Sequence, residues 1–389
     1  MVIHGFRAAA VASEMRYKDR LDLGLIVADQ ICGSAGVFTQ NTCRAAPVVW
    51  SSSRSFNGKA IMVNAGQANA QTGPDGLEDC QHSAKTLSRL LNIETDEVLL
   101  ASTGVIGQPL NLKAMDQAIP KLVQKLSPFS LADFAQSILT TDTVIKMTQT
   151  KGAFVDGSEF KIWGAAKGSG MIAPNMATML GFILTDAPLD SNLMHRLLKK
   201  GAEATFNRVT VDGDTSTNDC LLFLSSGATG RRPVTKEGQS PGFEEEFLVV
   251  LKTLARMIAK DGEGATRLVE VSVIGAKSSL QAKKAARTVA ESPLVKTAFY
   301  GGDANWGRIL AALGRSGADF DPYQVDLDLD DVPWVRNGQD NDKDKEASLV
   351  MKKPEYRLTI NLKSGRSSYE MLTCDFSHEY VNINGSYRS

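Results

Sequence analysis

A threonine at the start of an apolar run is the residue of this sequence best suited to act as a nucleophile. The segment KGSGMIAPNMATMLGFILTD (167–186) contains two glycines that allow unusual backbone angles, followed by a proline that stiffens the chain. The pair Ala177–Thr178 then opens into TMLGFILTD, whose residues are apolar on both faces, which predicts a buried central strand over 178–186. A hydroxyl on the first residue of a rigid strand is well placed for nucleophilic attack.

A general base for this hydroxyl is scarce in the sequence. None of the histidines lies in an HExxH or beside a GxSxG motif, which disfavours a Ser-His-Asp hydrolase; they are His4, His82, His195 and His378. A threonine supplies its own base if the bond before it is cut, because the freed α-amine has a pKa of about 7.7–8.0. The alternative is a loop-to-strand turn with a chance threonine, and spacing alone leaves both interpretations open.

Other candidate sites in the sequence are weaker. The glycine-containing stretches 103–107 and 168–174 complete neither GxGxxG nor GxxxxGK[ST], so a nucleotide site is not predicted. Asp326, Asp328 and Asp330 alternate with apolar residues. That pattern favours a solvated strand face over a site for a hard cation, and no metal site is predicted.

Composition excludes several classes of protein. The chain has 389 residues, which favours two domains, and an ordinary globular mix of 43% hydrophobic and 22% charged residues. The 43 Lys and Arg nearly balance the 44 Asp and Glu, so there is no global basic field for nucleic acid or an anionic membrane. No apolar run approaches the ~20 residues that cross a bilayer. Five scattered cysteines without a CxxC pair favour reduced thiols, and we expect a cytoplasmic protein.

Apolar runs and amphipathic stretches alternate along the chain, which is typical of a mixed α/β enzyme. Period-two or fully apolar runs predict strands over 60–66, 97–103, 178–186, 267–276 and 323–331. Helical periodicity predicts helices over 81–92, 191–206 and 245–260. Turn formers and charge predict loops over 228–242 and 337–348.

A long ordered set of motifs resembles the ornithine acetyltransferase family, the bifunctional glutamate N-acetyltransferases of arginine biosynthesis. The resemblance covers nearly the whole chain. It comprises GVFTQNTCRAAPV (36–48), VNAGQANAQTG (63–73), STGVIG (102–107), LTTDT (139–143), KGSGMIAPNMATML (167–180), TVDGDTSTND (210–219), KDGEGATRLVEV (260–271), SPLVKTAFYGGDANWGRI (292–309) and YVNINGSYRS (380–389).

The resemblance implies roles for the catalytic residues. Thr178 matches the nucleophile of the family, which autoproteolysis of the Ala177–Thr178 bond exposes. Thr103 and Gly104 match its oxyanion hole. A hydroxyl and a backbone N–H can converge on one developing oxyanion, and each such donor contributes a few kcal/mol of transition-state stabilisation.

The resemblance also implies a set of substrate contacts: Thr141, Lys167, Thr178, Glu263, Asn384 and Ser389. Lys167 can pair with the α-carboxylate of an amino acid, and Glu263 with an ammonium group. Considered without the family, Lys167 and Glu263 are more simply interpreted as solvated surface charges.

The implied reaction moves an acetyl group from N2-acetyl-L-ornithine to L-glutamate through an acetyl-Thr178 ester. Acetyl-CoA remains open as a second acetyl donor, and no other cofactor is expected. The family implies a self-cleaving, N-terminal-nucleophile-like α-β-β-α fold with a smaller C-terminal α/β unit, roughly 277–389. The fragments 1–177 and 178–389 would fold together and assemble as a heterotetramer with two copies of each.

Two alternatives stay open at this point. The first is a self-processing aminopeptidase of similar fold, for which a serine after glycine would be the expected nucleophile instead of Thr178 after Ala177. The second is an unprocessed binding or scaffold subunit, against which two bands on a denaturing gel would argue.

Overall fold

The computed structural model of the chain describes residues 2–173 and 179–386. The strands are β1 (Phe6–Val11), β2 (Leu23–Ala28), β3 (Gly33–Phe38), β4 (Ala60–Gln67), β5 (Val98–Val105), β6 (Lys146–Ala153), β7 (Glu159–Lys167), β8 (Leu180–Thr185), β9 (Val209–Thr210), β10 (Cys220–Ser225), β11 (Leu268–Ala276), β12 (Asp326–Leu329), β13 (Val332–Arg336), β14 (Gln339–Asp340), β15 (Glu355–Asn361) and β16 (Ser367–Cys374). The helices are α1 (Ala46–Ser52), α2 (Asp75–Leu91), α3 (Leu112–Gln124), α4 (Leu131–Ser137), α5 (Ser191–Ala204), α6 (Pro241–Lys260), α7 (Ser279–Ala290), α8 (Pro293–Gly301), α9 (Trp306–Gly314), α10 (Asp344–Met351) and α11 (His378–Gly385).

The chain divides into two compact units, which we call the first and second unit. The first unit comprises Met1–Gly168, Pro174–Asn207 and Thr215–Ile258, and the second comprises Ser169–Ala173, Arg208–Asp214 and Ala259–Ser389. The sequence places the start of the C-terminal unit near residue 277, whereas the last and longest segment of the second unit starts at Ala259. The earlier start has a physical reason, since β11 pairs on both sides inside the sheet of that unit.

Two sheets share one apolar layer in the first unit. The four-stranded sheet has the order β1-β2-β4-β5, and the five-stranded sheet has the order β3-β10-β8-β7-β6. One buried cluster joins them, since it contains Ile26 and Val63 from the first sheet and Phe182 and Leu222 from the second. Burial of these faces removes apolar surface from water and stabilises the pair of sheets.

Helices cover the other face of each sheet in the first unit. Residues of α2 and α3 share a second buried cluster with the four-stranded sheet, as Leu87 and Ile119 do with Met62. Phe247 of α6 stacks on Phe223 of β10 with ring centroids 5.1 Å apart. The first unit is therefore a layered α/β structure, as the sequence predicts.

The second unit is built on a seven-stranded sheet with the order β14-β13-β12-β15-β11-β16-β9. Its core combines alternate residues of β11 and β15 with the buried faces of α7, α8 and α9. The predicted alternation at the acidic strand is present, because Leu327 and Leu329 are buried while Asp326 and Asp328 are partly exposed. Asp330 lies beyond this strand, where its φ of 48° places it in a turn.

The predicted strands and helices all correspond to observed ones, with boundaries shifted by a few residues. The loop predicted over 337–348 is partly wrong, since α10 begins at Asp344. The charged residues at the start of this helix are compatible with a loop, but Ala347, Val350 and Met351 are buried at helical spacing.

Among the helices of residues 2–173 and 179–386, none is long and apolar enough to cross a membrane.

Candidate active site

The end of β5 carries the two residues expected to form an oxyanion hole. Thr103 and Gly104 pair in parallel register with Ala65 and Gly66 of β4. Gly104 has a φ of 127°, and a Cβ built on it would lie 2.2 Å from the carbonyl carbon of Gly66. A side chain at Gly104 would therefore collide with the backbone of β4, so only glycine fits at this point of the strand pair.

A buried polar network supports this strand end. The Asn218 side-chain amide donates to the carbonyl oxygens of Ala68, at 2.6 Å, and Ser102, at 2.8 Å. The Ser102 hydroxyl lies 2.5 Å from Asn64 Oδ1. Because these groups are buried and hydrogen-bonded to one another, they fix the backbone directly before Thr103.

Lys167, the last residue of β7, reaches Thr103. Its Nζ donates to Thr140 Oγ1 at 2.6 Å and to Thr103 Oγ1 at 3.3 Å. An ammonium group has no acceptor, so Thr103 Oγ1 accepts here and its own O–H remains available as a donor. The Lys167 side chain is 10% exposed, so it is not the solvated surface lysine that residue type alone suggests.

Asp142 joins this cluster from the loop between α4 and β6. Its Oδ1 accepts from Lys146 Nζ at 2.6 Å and from the Gly168 N–H at 2.7 Å, and its Oδ2 accepts from the Thr140 N–H at 3.1 Å. Burial would raise the pKa of Asp142, but the positive charges of Lys167 and Lys146 and these hydrogen bonds outweigh it. They hold the pKa well below its usual range, so Asp142 is an anion at neutral pH.

Three of the expected site residues lie outside the described residues: Ala177, Thr178 and Ser389. Met179, the first described residue after the expected nucleophile, accepts a hydrogen bond from the Cys220 N–H at 3.0 Å. From there β8 runs fully buried at the centre of the five-stranded sheet. Thr141 is half-buried in the loop that also carries Thr140 and Asp142.

The second unit brings together Glu263 and Asn384. The Asn384 amide donates to Glu263 Oε2 at 2.8 Å, and Glu263 is 6% exposed, so it is not a solvated turn acid. The Glu263 N–H donates to the Ser169 carbonyl at 2.8 Å. A Cβ built on Gly170 would lie 2.2 Å from Glu263 Oε2. The carboxylate is therefore held between α11 and the segment 169–173.

Two further side chains of the second unit anchor the turn that carries Glu263. Buried Asp375 accepts from the N–H groups of Thr266, at 2.8 Å, and Arg267, at 2.9 Å. The Ser377 hydroxyl donates to the Gly264 carbonyl at 2.6 Å. These hydrogen bonds fix the turn in the folded second unit, and with it the position of Glu263.

Asp212 fixes the segment that precedes the expected cleavage site. Its carboxylate accepts from the N–H groups of Met171, at 2.6 Å, and Ile172, at 2.9 Å. Burial raises the pKa of this carboxyl, with these backbone bonds opposing the effect. The Val211 N–H also donates to the Ile172 carbonyl at 2.7 Å. Residues 169–173 are thus bound to the rest of the second unit.

Sequence reasoning did not single out Thr140, Asp142, Lys146 or Asn218. Asp142 and Asn218 lie inside two of the motifs that carry the family resemblance, LTTDT (139–143) and TVDGDTSTND (210–219). Their place as polar residues inside these motifs was the signal that could have identified them. Lys146 offered no such signal, because it follows the motif and opens a mostly polar strand.

Comparison with known proteins identifies the family. The ArgJ family model matches residues 7–389. The arginine biosynthesis bifunctional proteins ArgJ of Desulfotalea psychrophila and Geobacter sulfurreducens are 46% and 44% identical to this chain, each covering 100% of both chains. The crystal structure of the arginine biosynthesis bifunctional protein argJ from Bacillus halodurans is 36% identical with a TM-score of 0.50, covering 52% of this chain and 96% of that one. The chain therefore belongs to the ArgJ family.

Proposed function

We propose that this protein transfers an acetyl group from N2-acetyl-L-ornithine to L-glutamate with Thr178 as the nucleophile. Membership of the family makes it an acetyltransferase of arginine biosynthesis that acts on small molecules. The observation that carries the detailed proposal is the cluster at the ends of β5 and β7, where Lys167 Nζ lies 3.3 Å from Thr103 Oγ1. There, a cation for a substrate carboxylate is adjacent to a donor for an oxyanion.

The proposed reaction has two half-reactions. The Thr178 hydroxyl attacks the acetyl carbonyl while the Thr178 α-amine takes its proton, and Thr103 and Gly104 stabilise the tetrahedral oxyanion. The C–N bond then breaks, the proton passes to the leaving amine, and ornithine departs from an acetyl-Thr178 ester. The α-amine of glutamate attacks this ester, and N-acetylglutamate leaves as the hydroxyl is restored.

The same contacts can serve both half-reactions because ornithine and glutamate share an α-amino acid head. We assign the shared α-carboxylate to Lys167, with Thr141 as a polar contact in the same loop region. Glu263, held by Asn384, is assigned to the side-chain ammonium of the ornithine substrate, a charge-assisted pair. Ser389 is assigned to the same substrate through its hydroxyl.

The arrangement of strands supports a two-fragment enzyme. In the five-stranded sheet, β3, β6 and β7 belong to 1–177, whereas β8 and β10 belong to 178–389. The pairs β3–β10 and β7–β8 would therefore hold the fragments together after cleavage.

Finer features of the proposal concern fold and assembly. We assign the first unit to the N-terminal-nucleophile-like α-β-β-α class, on the support of its two stacked sheets and outer helices. We propose a heterotetramer with two copies of each fragment, acting in the cytoplasm. Acetyl-CoA is proposed as a second acetyl donor, since the relatives are named bifunctional.

Purified protein is expected to run as two fragments on a denaturing gel, with the larger beginning TMLGFIL. The fragments should co-elute in native gel filtration, because each contributes strands to one sheet. Mass spectrometry of the larger fragment reads its N-terminus. A single intact chain with full transferase activity would refute the autoproteolysis.

The direct test of function is an acetyl-transfer assay with two donors. Incubation with N2-acetylornithine and glutamate should form N-acetylglutamate, and incubation with acetyl-CoA and glutamate tests the second donor. Release of amino acids from short peptides, without transfer from N2-acetylornithine, would favour the aminopeptidase alternative. An uncut chain inactive in every arm would favour the scaffold alternative.

A further inference from the structure

A lysine without an assigned role is fully buried beside the proposed carboxylate site. The Lys146 side chain is 0% exposed and forms an ion pair with Asp142, whose side chain is also 0% exposed. Burying two charges requires that each is compensated, and the 2.6 Å distance between Nζ and Oδ1 provides this. Burial of the Lys146 ammonium group carries a substantial desolvation cost, and a role in the neighbouring carboxylate site would explain why a lysine occupies this position.

Lys167 is the more distant of the two cations that face Asp142. Asp142 Oδ1 is occupied by Lys146 and the Gly168 N–H, and Oδ2 by the Thr140 N–H. Lys167 Nζ stays 3.7 Å from Asp142 Oδ2, beyond hydrogen-bond distance. Its hydrogen bonds go instead to two neutral hydroxyls, those of Thr140 and Thr103.

Among residues 2–173 and 179–386, the groups bonded or ion-paired with Asp142 therefore include two ammonium groups against its one carboxylate, an excess of one positive charge. A second carboxyl, that of Asp219, also acts on Lys167, but burial raises its pKa well above the usual value, which favours the neutral acid. One Asp219 oxygen has no hydrogen-bond partner among the described residues. A neutral acid at this position would leave the excess charge intact.

We propose that Lys146 is a specificity-determining residue that neutralises Asp142 and so keeps the charge of Lys167 available for the α-carboxylate of both substrates. This inference rests on the proposed function. Without Lys146, the Asp142 carboxylate would lose its own counter-ion and compete for Lys167. A substrate carboxylate would then meet a neutral pair instead of a cation.

The test is the change Lys146→Met, which keeps an unbranched side chain one heavy atom shorter and removes its charge. We expect KM for both glutamate and N2-acetylornithine to rise at least about 10-fold, the scale of one lost charge contact. The charge of the cluster would be restored by the double variant Lys146→Met/Asp142→Asn, which should recover most of this loss. Lys151→Met, an exposed residue of the same strand β6, is the matched control and should behave as wild type.

Analogues without the α-carboxylate separate charge from structure. The preference for glutamate over 4-aminobutyrate, and for N2-acetylornithine over N-acetyl-1,4-diaminobutane, should fall in Lys146→Met by a similar factor. The variant Lys167→Met shows how much of the preference for a carboxylate is lost when the charge of Lys167 is removed completely. A purely structural role would reduce activity on both members of each pair equally and would overturn the proposal.

Other outcomes are equally decisive. Failure of the double variant to recover the carboxylate preference, while Lys146→Met loses it, would refute the charge balance. If Lys146→Met does not fold, as thermal melting would reveal, the double variant is compared with wild type, and loss of its carboxylate preference would refute the proposal. Wild-type protein inactive with N2-acetylornithine and glutamate would refute the proposed function itself, a result distinct from all of these.

Discussion

Replacement of Thr178 by alanine is expected to yield one uncut chain of 389 residues with no detectable acetyl transfer. The change removes the hydroxyl that attacks both the Ala177 carbonyl and the acetyl carbonyl of the substrate. Without cleavage no free α-amine forms at this residue, so the proposed base is lost together with the nucleophile. A denaturing gel and the acetyl-transfer assay measure the two effects on the same sample.

Thr178→Ser is the matched control for this change. It retains the hydroxyl and loses the methyl group, so its side chain rotates more freely, and we expect slower cleavage with some transfer. Wild-type protein mixed with N2-acetylornithine alone should gain the mass of one acetyl group on the peptide beginning at Thr178. Glutamate should then discharge it, as a two-step transfer requires. Acetyl on another residue, or activity in Thr178→Ala, would contradict the N-terminal-threonine mechanism.

The strands and helices around the site could be predicted because the spacing of apolar residues within each segment indicates which of its faces is buried. TMLGFILTD is apolar on both faces, and β8 is accordingly buried at the centre of a sheet. The alternation of apolar and polar residues over 267–276 likewise predicts β11 as a strand with one buried face. The sequence does not predict the α10 helix, because its charged first turn resembles a loop, and its contacts with the second-unit core identify its buried face.

The residues of the site are far apart in the sequence, which limits how much of the site the sequence could predict. Thr103 and Lys167 are 64 residues apart, in strands of different sheets, and the packing of the two sheets of the first unit brings their polar atoms to 3.3 Å. Residue type alone favours a solvated Lys167 and Glu263, yet both are buried, because burial depends on neighbours far along the chain. The family resemblance identified them, whereas the partnership of Lys146 with Asp142 required the three-dimensional arrangement.

Thr103→Ala is expected to lower kcat by roughly 10²–10³-fold, the usual effect of removing one oxyanion-hole donor. The variant should fold, because the change removes little volume at the end of β5. KM should change far less than kcat, since the donor acts on charge that develops in the transition state. Steady-state kinetics for both substrates, on protein that is fully cleaved, measures this separation.

The matched control for this change is Thr140→Ala, because Lys167 Nζ donates to both hydroxyls, at 2.6 Å to Thr140 and at 3.3 Å to Thr103. If Thr103 matters only as an acceptor that orients Lys167, the two variants should resemble each other and raise KM. If Thr103 is an oxyanion donor, its loss alone should lower kcat, with Thr140→Ala acting on substrate binding. A near-normal kcat in Thr103→Ala would assign the oxyanion to the backbone N–H of Gly104, a donor that Thr103→Ala leaves in place.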